Sequence, residues 1–315
     1  MKKLIFLFPG QGAQQVGMAK DLYASYHFVR ELFDMAEEIT KLPLKKLCFE
    51  GPMEELTQTI HLQPALTTTS LSFLRALQQA HSVIPVASAG HSLGEYSALA
   101  ASGVLTEENT LRAVFERGRL MHQEASAHPG SMAAIIGLTI SEVENIIQEI
   151  ASSAEIVSVA NHNLENQIVI TGTTEAVLKV SEIASQKEAR VVPLKVSGAW
   201  HSELIRGATT PFSSFLETLP FSAPITPLYF NVTAESEKNP EKILTLMVQQ
   251  LCSPVRWFDI MQNLLNLNAD IMVELGPGKV LSGLFGKICP ADSSQTAVSI
   301  NSLEKLEQFL EETLK

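Results

Sequence analysis

The sequence predicts an α/β protein in which a large parallel-sheet domain is interrupted by a smaller α+β insert. Three observations carry this expectation. Strand–helix alternation runs from Lys3 to about Ala125 and resumes from about Pro227 to Lys315, the pattern of a parallel sheet flanked by helices. Between Ser131 and Ser197 the order changes to strand (Met132–Gly137), helix (Ser141–Ala151), strand (Glu155–Ala160), strand (Gln167–Thr171), helix (Thr174–Gln186) and strand (Arg190–Val196). That β-α-β-β-α-β order is the ferredoxin-like split unit. Finally, 315 residues exceed the size at which one compact domain is assured.

The expected division is therefore a discontinuous core of residues 1–127 and 198–315 with a small subdomain of residues 128–197. Turn chemistry supports both junctions: His128-Pro129-Gly130 at entry and Ser197-Gly198 at exit. At the start of the chain the apolar run Leu4 to Phe8 stops at Pro9, too short for the roughly 7–15 residues of a signal-peptide core, and reads as a first buried strand. At the other end Leu303, Leu306, Phe309 and Leu310 share one helical face, with Ser302 as N-cap.

Composition excludes several function classes. With 45% hydrophobic and 18% charged residues the chain suits a globular protein with a sizeable core. A formal net charge of −11 argues against a nucleic-acid partner, which requires a basic footprint. No apolar run approaches the roughly 18–20 residues needed to span a bilayer, so no membrane association is expected and the location is expected to be cytoplasmic. Three scattered cysteines, Cys48, Cys252 and Cys289, match neither a disulfide framework nor a clustered metal site.

The strongest local signal is Gly90-His91-Ser92-Leu93-Gly94, a G-x-S-x-G nucleophile elbow between an expected strand (Val83–Ala89) and an expected helix (Glu95–Ser102). In such an elbow the serine hydroxyl projects beyond the sheet beside a helix N-terminus. A hydroxyl needs a base. Among eight histidines the best placed is His201, where the chain leaves the insert and returns to the core; His91, on the elbow itself, would point elsewhere, and His162 is a weaker rival from the insert. No aspartate lies between Ser92 and His201, so a dyad is expected rather than a triad, with the imidazole oriented by a backbone carbonyl.

An oxyanion formed at Ser92 needs preorganised donors. The Leu93 N–H is the expected first, and the glycines of Phe8-Pro9-Gly10-Gln11-Gly12-Ala13-Gln14 would let the Gln11 N–H approach, although the same stretch also reads as a plain strand-ending turn. Arg117 is the other unusual residue. Arg112 has Glu108 and Glu116 four residues away on either side, as an exposed salt-bridged side chain does, but Arg117 has Ala113, Val114, Leu120 and Met121 around it. A guanidinium on the apolar face must be paired, either with a carboxylate elsewhere in the chain or with one on a substrate.

Taken together these motifs resemble the malonyl-CoA:acyl carrier protein transacylase family over nearly the whole chain. The resemblance rests on FPGQGAQ at Phe8–Gln14, GHSLGEYSAL at Gly90–Leu99, Arg117-Gly118, the Gly198–His201 loop, QLCSPVRW at Gln250–Trp257, and Glu274-Leu275-Gly276-Pro277-Gly278. It implies a hydrolase-like parallel-sheet core with an inserted ferredoxin-like α+β subdomain. It also implies that Ser92 is the acyl-accepting nucleophile, His201 its base and Arg117 the partner of the malonyl carboxylate. The Gln11 and Leu93 amides would form the oxyanion hole and the Gln250 main-chain carbonyl would hold His201.

The implied reaction, in fatty acid biosynthesis, moves a malonyl group from its coenzyme A thioester through Ser92 to the pantetheine thiol of an acyl carrier protein, with no cofactor or metal. A serine hydrolase or thioesterase of similar core fold is the alternative, and a non-catalytic carrier-binding protein a more distant one. Two places depart from the family pattern: Trp200 stands where Phe or a smaller residue is usual, and Leu164-Glu165-Asn166 replaces a Ser-Pro-Gly-like turn. Lys187, Arg190, Lys195, Lys279 and Lys287 are candidates for a basic rim facing the carrier.

Overall fold

The computed structural model describes residues 2–150 and 155–313. Two sheets organise the chain. The first has five strands, β1 (Leu4–Phe8), β2 (Ala87–Gly90), β7 (Leu228–Tyr229), β8 (Ile271–Leu275) and β9 (Thr296–Ile300), in the spatial order β7-β2-β1-β8-β9. All its pairings are parallel. The second has β3 (Ser131–Ile136), β4 (Val157–Leu164), β5 (Gln167–Gly172) and β6 (Arg190–Pro193) in the order β4-β5-β3-β6, all antiparallel. With the helices Ile140–Ile150 and Thr174–Gln186 the second sheet has the β-α-β-β-α-β order, and all of it falls within residues 128–197.

The local sequence explains the central strands. Every residue of Leu4-Ile5-Phe6-Leu7-Phe8 is buried, as a strand covered by helices on both faces requires. In β8 the apolar run contains Glu274, which is nonetheless wholly buried. Its carboxylate accepts from the Leu281 and Ser282 amides at 3.0 and 2.8 Å and from the Ser282 hydroxyl at 2.8 Å, capping the first turn of the helix Val280–Ile288. The Glu-Leu-Gly-Pro-Gly stretch is thus a strand end tied to the helix that follows.

Some expected elements shift. The stretch between β1 and β2 carries no further strand but five helices, Lys20–Ser25, His27–Thr40, Leu44–Phe49, Met53–Leu56 and Thr59–Ala80. β2 begins at Ala87 rather than Val83, because Pro85 has no N–H for a ladder. β6 ends at Pro193 rather than Val196, and the chain leaves the sheet after a last bond from the Leu194 N–H to the Met132 carbonyl at 2.9 Å. The helix expected over Ser141–Ala151 spans Ile140–Ile150, and Ala151 lies outside the described residues. β4 runs to Leu164, and Glu165-Asn166 form a tight turn into β5.

Two contacts bring the functional parts together. The register Ile5↔Ala87 through Phe8↔Gly90 levels the ends of β1 and β2, so that the loop after Phe8 lies beside the elbow, and His91 N–H donates to the Phe8 carbonyl at 3.0 Å. The β4 edge of the small sheet pairs with the core at Val255: Val255 N–H donates to Ala160 at 2.8 Å and His162 N–H to Val255 at 2.9 Å.

A glycine makes the first of these contacts possible. A Cβ on Gly94 would overlap the Phe8 carbonyl oxygen. Gly283, inside the helix Val280–Ile288, has open space around the same position. Gly94→Ala is therefore expected to destabilise the protein by about 1–3 kcal/mol or more through forced backbone movement. Gly283→Ala should stabilise it by up to about 1 kcal/mol through helix propensity. Urea unfolding of both variants checks the pair, and equal effects would contradict the packing argument.

Candidate active site

Ser92 follows β2 at the start of the helix Gly94–Ala101 with φ 50°, the left-handed conformation of a sharp strand-to-helix reversal. Its Oγ lies 2.8 Å from His201 Nε2, across 109 residues of sequence. The opposite ring nitrogen, Nδ1, is 2.8 Å from the Gln250 main-chain oxygen. A carbonyl only accepts, so Nδ1 carries the proton, Nε2 is the free lone pair, and the serine hydroxyl donates to it. Burial, and next the positive charge of Arg117, push the His201 imidazole down to about 3. At neutral pH it is the uncharged, proton-accepting form.

Arg117 projects from the helix Glu107–Ala127 and is fully buried. Among the described residues no Asp or Glu carboxylate lies within ion-pair distance of it, so the intramolecular partner that the sequence left open is not there. Nη1 donates to Gln63 Oε1 at 2.9 Å; Nη2 donates to Gln250 Oε1 at 3.0 Å and to Ser92 Oγ at 3.3 Å. Nε has no partner, and the guanidinium carbon lies 5.4 Å from the Tyr96 ring centroid. Arg112, by contrast, pairs with Glu108 at 2.7 Å on the surface.

Gln250 serves three groups at once. Its carbonyl holds His201, its side-chain oxygen takes Arg117, and its side-chain Nε2 donates to the Ser92 carbonyl at 3.0 Å. It is placed by the short 3-10 turn Gln250–Cys252, which ends the helix Pro240–Gln249 immediately before Val255 pairs with β4. Gln11 lines the same cleft as Ser92, and Leu93 follows Ser92 directly in the chain. Neither backbone N–H has a hydrogen-bond partner among the described residues. The Gln11 side chain accepts from Thr59 Oγ1 at 3.2 Å.

Above the dyad is a cleft of about 100 Å³. Its polar end is formed by Gln11, His91, Ser92 and His201, and its apolar walls by Met121, Met132, Leu194, Val196 and Trp200. Met132, Leu194 and Val196 come from the insert, so the small sheet supplies one wall. Trp200 is 5% exposed and narrows the space beside His201. His91 turns away from the Ser92 hydroxyl: its Nε2 is 2.8 Å from Asn163 Oδ1 and its ring packs on Trp257. His162 packs on Phe258 instead and is not part of the cleft.

Sequence reasoning did not single out Gln63, Glu95 or the side chain of Gln250. Glu95 carried a signal, since it is a lone acid among the small apolar residues that follow the elbow. It is wholly buried, accepts from the Asn231 N–H at 2.7 Å, and burial pushes its carboxyl up to about 8. Near neutral pH it is therefore largely an uncharged acid and not a counter-ion for Arg117.

Comparison with known proteins places these features. Residues 5–305 match the family described as the acyl transferase domain. The chain is 39% identical over 289 residues to the malonyl CoA-acyl carrier protein transacylase of Bacillus subtilis strain 168, covering 91% of each chain. It is 37% identical over 312 residues to the protein of that name from Escherichia coli K12, covering 99% of this chain and 100% of the relative. Among solved structures, an acyl carrier protein S-malonyltransferase from Vibrio cholerae superposes with a TM-score of 0.92 at 37% identity, covering 97% of this chain and 99% of the other. A malonyl-transacylase in complex with its type II PKS acyl-carrier protein superposes with a TM-score of 0.93 at 35% identity, covering 98% and 99%.

The environment of His201 sets a pH dependence. A base active only when neutral works above its own pKa, and here that value is depressed below the ordinary 6.5. The second-order rate constant for modification of Ser92 by an organofluorophosphonate should therefore stay flat as pH falls through 6.5 and decline only well below it. An acid limb centred near 6.5 would show that the imidazole is not held in this buried, Arg117-facing state.

Proposed function

The chain belongs to the acyl transferase domain family, and we propose that it transfers a malonyl group from malonyl-CoA through a Ser92 acyl-enzyme to the pantetheine thiol of an acyl carrier protein, as a step of fatty acid biosynthesis. The observation that carries the reading is a buried guanidinium, without a carboxylate partner among the described residues, 3.3 Å from the nucleophile. A malonyl group has one methylene between its thioester carbonyl and its carboxylate. When the carbonyl is at Ser92, the carboxylate is therefore within reach of Arg117. An esterase or thioesterase acting on apolar acyl groups has no use for a cation there, which favours the transferase over a hydrolase of similar core fold.

In the first half-reaction Ser92 Oγ attacks the thioester carbonyl while His201 Nε2 takes the hydroxyl proton. The tetrahedral oxyanion is held by the Gln11 and Leu93 amides. Its collapse breaks the C–S bond, and the departing coenzyme A sulfur takes the proton from His201. In the second half-reaction the carrier's thiol gives its proton to His201 as the sulfur attacks the Ser92 ester. Collapse then breaks the ester C–O bond, and His201 returns the proton to Ser92. The Gln250 carbonyl holds the imidazole tautomer through both halves, which accounts for a site without an aspartate.

The scheme uses no cofactor or metal. No helix among the described residues is long and apolar enough to cross a membrane. We place the enzyme in the cytoplasm, where Cys48, Cys252 and Cys289, none of them in a disulfide, remain reduced. Lys195 stands between Leu194 and Val196 at the cleft wall and is exposed, which suits it to meet an anionic carrier or the phosphates of coenzyme A.

Two experiments test the proposal. Intact-protein mass after exposure to malonyl-CoA should show one malonyl adduct on the wild type and none on Ser92→Ala; an adduct retained by the variant would refute the nucleophile. For Arg117→Ala, kcat/KM for malonyl-CoA should fall by about 2–5 kcal/mol of transition-state stabilisation, the range for truncating one member of a buried charge pair. Acetyl-CoA, which has no carboxylate, should lose far less. An unchanged malonyl-to-acetyl ratio would remove Arg117 from substrate recognition.

A further inference from the structure

A residue with a side chain keeps the left-handed conformation seen at Ser92 only where its surroundings hold it there. Beside the Gln250 bond to the Ser92 carbonyl, one residue outside the elbow holds it by two further hydrogen bonds. Asn231 lies just beyond β7, the strand beside β2, and is wholly buried. Its Oδ1 accepts the Ser92 N–H at 2.7 Å and its Nδ2 donates to the Gly90 carbonyl at 2.7 Å. A single amide thus bridges the reversal from the last residue of the strand to the nucleophile. Its own backbone N–H donates to Glu95 at 2.7 Å, tying the bridge to the helix that follows the elbow.

We propose that Asn231 is the positioning residue of the nucleophile: its side-chain amide clamps the elbow at both ends and so sets the direction of Ser92 Oγ toward His201. The chemistry of the two bonded groups specifies the residue type. An N–H on one side and a carbonyl on the other demand an acceptor and a donor on one short planar side chain. A carboxylate lacks the donor, and an aliphatic side chain lacks both. The largely neutral carboxyl of Glu95 completes the arrangement without placing a full negative charge beside the reacting serine. The inference rests on Ser92 being the acyl acceptor. Asn231 itself takes no part in bond making.

The test is the single-turnover rate constant for Ser92 malonylation, followed by rapid quench and intact mass and expressed per titrated active site, so that loss of folded protein does not enter. Asn231→Ala should lower the saturating rate constant by on the order of 10²-fold, the scale of a sub-ångström to ångström misplacement of a reacting group. The malonyl-CoA concentration giving half that rate should change little, because the clamp does not touch the substrate. Asn231→Asp keeps the acceptor for the Ser92 N–H and should lose less, on the order of 10-fold; it decides the question if Asn231→Ala does not fold. Saturating rate constants equal to wild type in the folded variants, whatever their thermal stability, would overturn the proposal while leaving the acyl-transfer reading intact. Absence of a malonyl adduct on the wild-type enzyme would overturn both.

Discussion

A positive charge buried at 0% exposure without a carboxylate partner among the described residues is the constraint around which this site is arranged. Removing a guanidinium from water is costly unless its donors are met. The chain leaves Nε without a partner and meets those of Nη1 and Nη2 with neutral oxygens: Gln63 from the long helix Thr59–Ala80, Gln250 from the turn after Pro240–Gln249, and the Ser92 hydroxyl. These partners satisfy hydrogen bonds without cancelling the charge. The uncancelled charge does two things. It adds to burial, the larger cause, in holding His201 in the neutral form that can take a proton, and it leaves an unmet preference for an anion next to Ser92.

The fold exists to bring four distant segments to that point. Parallel register places the ends of β1 and β2 side by side, which brings the loop carrying Gln11 to the cleft beside the elbow. The insert supplies one wall of the cleft, its edge strand pairs with Val255, five residues past Gln250, and its exit leads directly to His201. The small sheet and the base are thus fixed by neighbouring stretches of backbone. Gln250 joins the pieces, contacting Ser92, His201 and Arg117 through different atoms. Such a hub makes the site stiff, and stiffness keeps a weakly acidic hydroxyl aligned with a base.

The α/β class was legible because the signals are local. Apolar runs of strand length mark β1 and β8, and the insert's two helices and four short strands alternate with clear turns between them. The helical stretch between β1 and β2 was less legible, since its short helices lack long periodic faces. β2 starts later than the apolar pattern suggests because Pro85 cannot donate to a ladder, and β6 ends sooner, its last bond to β3 running from the Leu194 N–H to the Met132 carbonyl. At the site, Ser92 announces itself by its glycines and Arg117 by its apolar neighbours. Choosing His201 over His91 and His162 depends on contacts across more than a hundred residues, which no periodicity encodes. Gln63, Asn231 and the Gln250 side chain were not legible at all, because a buried amide that serves a charge or an elbow looks in sequence like any other polar residue.

In the proposed reaction the buried charge of Arg117 is completed by the carboxylate of the substrate. Equilibrium binding of malonyl-CoA and acetyl-CoA to the Ser92→Ala protein, measured by titration calorimetry, tests it with turnover removed. Malonyl-CoA is expected to bind more tightly by at least about tenfold, equivalent to about 1.4 kcal/mol for one added carboxylate. Equal dissociation constants for the two thioesters would contradict it.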